Sequence, residues 1–193
     1  MKLTIINYGA GNVFSVTSAF QRLGLNPILS ADEEEIRSSD FVVFPGVGHA
    51  EMAMNQLKET RLDALIPSLE QPVLGVCLGM QLMCDWTEEG NTAGLGIFDG
   101  LNVVRFDEQL KVPHMGWNEL VNSKGLLSEL LEPVYFVHSY YAPLSKYTIA
   151  ECLYPFAFSA ALEKDNFLAC QFHPEKSGKA GEEVLKRFLN KSK

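Results

Sequence analysis

Val73-Leu74-Gly75-Val76-Cys77-Leu78-Gly79-Met80-Gln81 changes character at its centre. Residues 73–76 form a continuous apolar run of strand length, and residues 78–85 carry a helical pattern. A strand apolar on both faces belongs to a parallel sheet covered on both sides. Working outward, the same alternation recurs. Residues 2–7 predict a strand. Residues 13–23 predict a helix with Asn12 as N-cap, Val13, Val16, Phe20 and Leu23 on one face, and Gly24 as the stop. A short strand is expected at 26–29, a solvated helical turn at the acidic run 32–35, and a buried strand at 41–44 ending in Pro45-Gly46-Val47-Gly48. Helical patterning follows at 50–58 and 62–69. The order β-α-β-β-α-β-α predicts an α/β fold in three layers, a mostly parallel central sheet with helices on both faces.

After Gly90 the texture changes. Strand-like segments at 101–106, 135–138, 148–153 and 167–172 predict antiparallel β additions in the C-terminal half. Residues 177–190 close the chain as a helix with Val184, Leu185, Phe188 and Leu189 inward. Neither a repeat nor a Pro/Ser-rich linker interrupts the sequence, so one domain over 1–193 is the simplest organisation. The chain has 193 residues, 47% hydrophobic and 21% charged, and a net charge of −8. That acidity excludes a surface built to neutralise phosphates, so no nucleic-acid partner is expected. No apolar run approaches the roughly 20 residues that span a membrane. The N-terminus turns polar after six residues, which excludes a secretory signal and predicts a cytoplasmic protein. Cys77, Cys84, Cys152 and Cys170 make no CxxC pair, and the histidines are scattered, so no metal site is expected. The cysteines read as free thiols, most of them small buried hydrophobes.

The strand–turn–helix around Cys77 is the context of a nucleophile elbow, with Cys in place of Ser. The glycines on either side permit a crowded turn that lifts the side chain above the carboxyl ends of the strands. The helix N-terminus behind it favours the thiolate, and Leu78 N–H is placed to hold an oxyanion. A buried Cys between two packing glycines would leave the same pentapeptide. A thiolate nucleophile needs a base, and the base an orienting group. Phe172-His173-Pro174-Glu175 offers both, because i and i+2 face the same way in extended chain and the proline favours that conformation. Glu175 can then hold one ring nitrogen of His173 while the other faces Cys77. The two-glycine loop after residues 41–44 can turn a second N–H, of Val47 or Gly48, toward the same place. His138, at the end of an apolar strand, is a rival base without a carboxylate at i+2.

Other motifs carry less. Gly9-Ala10-Gly11 starts like a dinucleotide fingerprint, but its third glycine would fall at Phe14, and there is no Walker A sequence, so no cofactor is expected. Lys111-Val112-Pro113-His114-Met115-Gly116-Trp117-Asn118 is dense in special residues. Trp117 is either core or an exposed anchor for a partner.

The elbow GVCLGMQ, the segment FHPEKS and PGVG together resemble the class I, triad-type glutamine amidotransferases. NYGAGN, KVPHMGWN and YFVHSYY narrow the resemblance to the branch serving imidazole glycerol phosphate synthase. It spans residue 7 to about 177; Asn7 stands where the family often has Asp.

The resemblance implies a Cys77-His173-Glu175 triad that hydrolyses glutamine through a γ-glutamyl thioester. It implies an oxyanion held by Leu78 and by Val47 or Gly48, and glutamine contacts from Gly46, Gly48, Gln81 and Ser139. It further implies a heterodimer with a (β/α)₈-barrel cyclase that receives the ammonia, with Asn12 and Trp117 at or near the interface. Lys176 and Lys179 are candidate partner contacts. The loop 45–48 is expected to flip to present its N–H. An amidotransferase subunit of another synthase, a stand-alone cysteine hydrolase and a non-catalytic binding module are the alternatives.

Overall fold

The computed structural model describes residues 1–9 and 12–191. Ala10 and Gly11 of the glycine-rich segment lie outside the described residues. The first half runs β1 (Leu3–Ile6), α1 (Val13–Arg22), β2 (Ile28–Ser30), α2 (Glu33–Arg37), β3 (Phe41–Gly46), α3 (Ala50–Glu59), α4 (Leu62–Leu65), β4 (Val73–Cys77) and α5 (Leu78–Leu82). Then come β5 (Cys84–Thr87), β6 (Thr92–Ala93), β7 (Phe98–Arg105), β8 (His114–Asn118), β9 (Val134–His138), β10 (Tyr140–Tyr141), β11 (Thr148–Leu153), β12 (Ala157–Lys164), β13 (Phe167–Cys170) and α6 (Gly178–Leu189).

A 7-stranded sheet in the order β11-β12-β13-β4-β3-β1-β2 divides the molecule. From β13 to β2 every pairing is parallel, and β12 and β11 extend the edge antiparallel. Successive residues of the parallel strands enter opposite layers. Val43, Leu74 and Val76 pack with Val16 and Phe20 of α1 and Val184 and Phe188 of α6. Val42, Phe44 and Val73 pack with Met54 and Leu57 of α3 and Leu62 of α4. Both layers of apolar side chains are withdrawn from water, which is why these strands read as unbroken apolar runs.

The structure corrects several sequence expectations. The helix expected over 78–85 ends at Leu82, and residues 84–87 form β5, paired with β6 and β7. Leu82, Met83 and Cys84 are all fully buried, and a run buried on every side carries no period that separates helix from strand. The stretch 62–69 is a single α turn followed by a 3₁₀ turn at Ile66–Ser68, because Pro67 cannot continue the ladder. The additions are not all antiparallel: β5 and β7 pair parallel inside a 4-stranded sheet ordered β10-β7-β5-β6. The solvated acidic turn is α2, where Asp32 accepts from Glu35 N at 2.9 Å and the acidic first turn complements the helix dipole.

β8 and β9 form a separate antiparallel hairpin, with Trp117 opposite Tyr135 and His114 opposite His138. Phe136 fastens it to the main sheet, 5.9 Å from both Phe158 and Phe172, edge to face in each case. That packing brings β9 against the chain leading into His173.

Candidate active site

The site begins with a steric constraint. Cys77 has φ 53 and ψ −109, a left-handed backbone that a residue with a Cβ adopts at a cost of about 1–3 kcal/mol. Its neighbours make room for the turn. A Cβ on Gly79 would sit 2.1 Å from the Phe44 carbonyl oxygen, and one on Gly46 would sit 2.7 Å from Gly79 N. In the β3–β4 register Gly46 lies beside Cys77, so the glycines let α5 descend directly onto the end of β3. Gly75 is packed against Met83, where a Cβ would meet the sulfur at 2.7 Å. The elbow is therefore an assembly of three glycines around one strained cysteine.

His173 follows β13, the neighbour of β4 on the other side. Its φ of −99 and ψ of 96 are extended, as Pro174 favours. Its N–H donates to the Tyr135 carbonyl at 2.9 Å, and Ser177 Oγ donates to its carbonyl at 2.6 Å. The ring Nδ1 lies 2.8 Å from Glu175 Oε1, both side chains almost wholly buried. Burial pulls the imidazole toward neutrality, but hydrogen bonds to Cys77 and Glu175 outweigh it and raise the pKa to about 10. Both bonds favour the charged ring.

Cys77 and His173 open onto a cavity of about 370 Å³, which Val47, Gly48, Leu78, Gln81, Ser139 and Lys176 help to line. The structure thus gathers most of the sequence-predicted residues at one place. Glu175 stands behind His173, away from the cavity. Gly46 lies against the elbow, where a Cβ would crowd Gly79 N and Leu78, and so makes room for α5. Gly48 has φ +100, and an added Cβ would meet nothing within 4 Å; its requirement is conformational. Asn12 caps α1, its Oδ1 accepting from Ser15 N at 3.3 Å. Trp117 is 55% exposed on β8, 5.7 Å from the Tyr135 ring. Lys179 lies outside the cavity, in a depression beside Arg22 and Glu182.

His138 also lines the cavity, but it is committed elsewhere. Its Nδ1 lies 2.7 Å from the Tyr140 carbonyl and its Nε2 2.9 Å from His114 Nδ1. Burial, with further depression by His114 and His173, lowers its pKa to about 3. A neutral His138 must donate Nδ1–H to the carbonyl and accept at Nε2, so it is not a base for Cys77.

Sequence reasoning missed His114, the Tyr140 carbonyl and Gln171. Gln171 is wholly buried, with Nε2 3.7 Å from Cys77 Sγ. The available signal was its place two residues before His173 in an extended segment. Among the described residues no group of His, Cys, Asp and Glu is arranged to hold a metal ion.

The profile of the family described as Glutamine amidotransferase class-I matches residues 4–192. The chain is 54% identical over 195 residues to the imidazole glycerol phosphate synthase subunit HisH of Bacteroides fragilis, covering 98% of this chain and 99% of that one. It is 48% identical to the HisH subunit of Pectobacterium atrosepticum, again covering 98% and 99%. Among solved structures it resembles a putative GMP synthase subunit from Thermoplasma acidophilum, with TM-score 0.74 and 18% identity over 98% of this chain and 92% of that one. A second, described as a glutamine amidotransferase, gives TM-score 0.74 at 17% identity, covering 98% of each chain.

Proposed function

The chain belongs to the class-I glutamine amidotransferase family, and from that membership we propose that it is the glutamine-hydrolysing subunit of an imidazole glycerol phosphate synthase, supplying ammonia for histidine biosynthesis. The observation that carries the reading is the placement of Cys77 and His173 on one cavity, with Glu175 Oε1 2.8 Å from His173 Nδ1 behind the ring. We propose residues 1–193 as one amidotransferase domain with this triad.

Cys77 attacks the side-chain carbonyl of glutamine. Negative charge develops on the carbonyl oxygen, and fixed N–H donors stabilise it without reorganising. Leu78 N–H, the first amide of α5, is one donor; Val47 or Gly48 N–H at the cavity wall is the other. His173 gives its Nε2 proton to the departing ammonia, leaving a γ-glutamyl thioester. The ring then takes a proton from water, the hydroxide adds to the thioester, and glutamate leaves as the thiolate re-forms. Glu175 holds Nδ1–H throughout, which fixes the tautomer and offsets the imidazolium charge. Gln81, Ser139 and Gly48 contact the glutamine.

Ammonia in water near neutrality is mostly ammonium and no longer nucleophilic, so it must pass to an acceptor directly. The relatives named above are subunits, which supports a partner for this chain. We take that partner to be a (β/α)₈-barrel cyclase, in a heterodimer. It adds the ammonia to a phosphoribulosyl formimino carboxamide nucleotide, giving imidazole glycerol phosphate and aminoimidazole carboxamide ribotide. Trp117, Met115 and Phe14, all large and exposed, support docking near β8 and the start of α1, where Asn12 lies. Pro113, beside β8, also lines the cavity, which puts this surface next to the reaction. Four free, buried cysteines fit a reducing compartment, and the cytoplasm is the proposed location.

The test is glutamate release by the purified chain alone, with a histidine-pathway cyclase, and with that cyclase plus its nucleotide. Turnover is expected to be low alone, to rise with cyclase and ligand, and to vanish in Cys77→Ala. Full activity without a partner would favour a stand-alone hydrolase.

A further inference from the structure

Gln171 lies one residue beyond Cys170, which pairs with Val76 in the parallel β13–β4 register. That register carries Gln171 to the level of Cys77 on the adjacent strand. Its Nε2 is 3.7 Å from Cys77 Sγ, and its Oε1 is 2.9 Å from Gln81 Nε2. Gln81 Nε2 is also 2.9 Å from the Tyr140 carbonyl oxygen.

That carbonyl decides which way both amides face. A backbone C=O only accepts, so Gln81 must turn its NH₂ toward Tyr140. The same NH₂ then faces Gln171, which has to answer with its oxygen. The NH₂ of Gln171 is left for the sulfur. Gln171 is 0% exposed, so no bulk water competes for that donor. His138 Nδ1 grips the Tyr140 carbonyl at 2.7 Å and holds the anchor of the series in place.

We propose that Gln171 is a further catalytic residue, whose amide N–H donates to the sulfur of Cys77 and stabilises it as thiolate. A charged acceptor takes a hydrogen bond more strongly than a neutral one, and the dry setting strengthens it further. The donor thus favours the nucleophile at rest. It favours the same species again when the thioester is hydrolysed and the thiolate is the leaving group. His173 approaches the sulfur as a charged donor that must also move protons. Gln171 has no proton to give up, so it supports the charge at both points of the cycle where the sulfur is a thiolate.

The proposal rests on Cys77 being the nucleophile, and its test is alkylation of that thiol, which needs neither glutamine nor a partner. The rate of Cys77 labelling by iodoacetamide is measured against pH on the whole chain, with peptide mass analysis, for wild type, Gln171→Met and Gln171→Glu. In Gln171→Met the midpoint of the rate–pH curve is expected to rise by about one pH unit, with roughly tenfold slower labelling below it. Gln171→Glu puts a carboxylate where the donor was, and its midpoint should rise further. A folded variant, shown by its circular dichroism melt, that keeps the wild-type midpoint overturns the proposal. A purely structural Gln171 would lower the melting temperature and leave the midpoint still. If neither variant folds, Gln81→Met releases the amide oxygen of Gln171 and should raise the midpoint by a smaller amount; an unmoved midpoint there also overturns the proposal. Failure of the amidotransferase reading would appear separately, as wild-type protein that releases no glutamate with its partner, and would leave the alkylation curves intact.

Discussion

Glu175→Gln keeps the shape of the triad and removes its buried negative charge. Glu175 Oε1 accepts from His173 Nδ1 at 2.8 Å, and the two side chains are 1% and 2% exposed. A hydrogen bond to a charged partner contributes about 1.5–3 kcal/mol, against roughly 1 kcal/mol for a neutral one. The amide oxygen still accepts from Nδ1, but it no longer offsets the imidazolium, so about 1.25 kcal/mol of transition-state support is lost. At 1.36 kcal/mol per tenfold, that is roughly an eightfold fall in kcat. Glu175 does not line the cavity, so KM for glutamine should stay within about twofold. Stability carries a second signature. The folded pKa of His173 lies above the ordinary value of 6.5, so its contribution is fully present below that value and is lost as pH rises through about 10. Glu175→Gln returns the ring toward neutrality under the pull of burial. Denaturant unfolding of wild type should therefore weaken between about pH 6.5 and 10, and the variant should weaken less over that window. The assay is steady-state glutamate release by the partnered enzyme, with urea unfolding across the same pH range. A kcat within threefold of wild type would refute the role given to the carboxylate.

Three further outcomes follow from the same geometry. Gly79→Ala puts a Cβ 2.1 Å from the Phe44 carbonyl oxygen, a backbone atom that cannot swing away, so thermal melting should show about 1–3 kcal/mol of destabilisation and turnover should collapse with the displaced elbow; an unchanged melt and rate would contradict the packing. At neutral pH iodoacetamide should label Cys77 and spare the others, because burial raises the thiol of Cys152 to about 12 and those of Cys84 and Cys170 upward as well; peptide mass analysis finding comparable label on any of these would contradict that. His138→Phe leaves His114 Nδ1 without its buried partner and removes one of the two donors to the Tyr140 carbonyl, and should cost about 1–3 kcal/mol in denaturant unfolding, whereas a neutral effect would show that water replaces the ring.

How much of this was legible in the sequence differs by element. The parallel half was readable because its strands are buried on both faces and its helices on one, so the period changes at each boundary. Residues 13–23 and 177–190 came within two residues of α1 and α6 at each end. β12 was not read. Its buried segment Phe158–Leu162 includes Ser159, Ala160 and Ala161, which carry weak strand preference alone, and it is held by partners on both sides, β11 and β13. β8 was equally hidden, since its alternation is inverted: the large apolar Met115 and Trp117 face outward and His114 and Gly116 lie on the inner face. At the site, residues named for their chemistry were legible from local spacing: Cys77 between glycines, and His173 two residues from Glu175. Gln171, His114 and the Tyr140 carbonyl were not, because they act through contacts between distant segments. The bond from Gln171 to Cys77 spans 94 positions. That Gly46 also makes room for the elbow was not legible either, because it depends on the β3–β4 register that sets it beside Cys77.

The central claim is that ammonia freed at Cys77 reaches a partner's acceptor without entering the solvent. It is tested most directly by running the chain with a histidine-pathway cyclase, its nucleotide, glutamine labelled with ¹⁵N in the side-chain amide, and excess unlabelled ammonium at mildly acidic pH. Mass analysis of the imidazole product then reports the source of its nitrogen. The account predicts a product carrying ¹⁵N, and none above background with Cys77→Ala. An imidazole product carrying the unlabelled nitrogen of the bulk ammonium would contradict it.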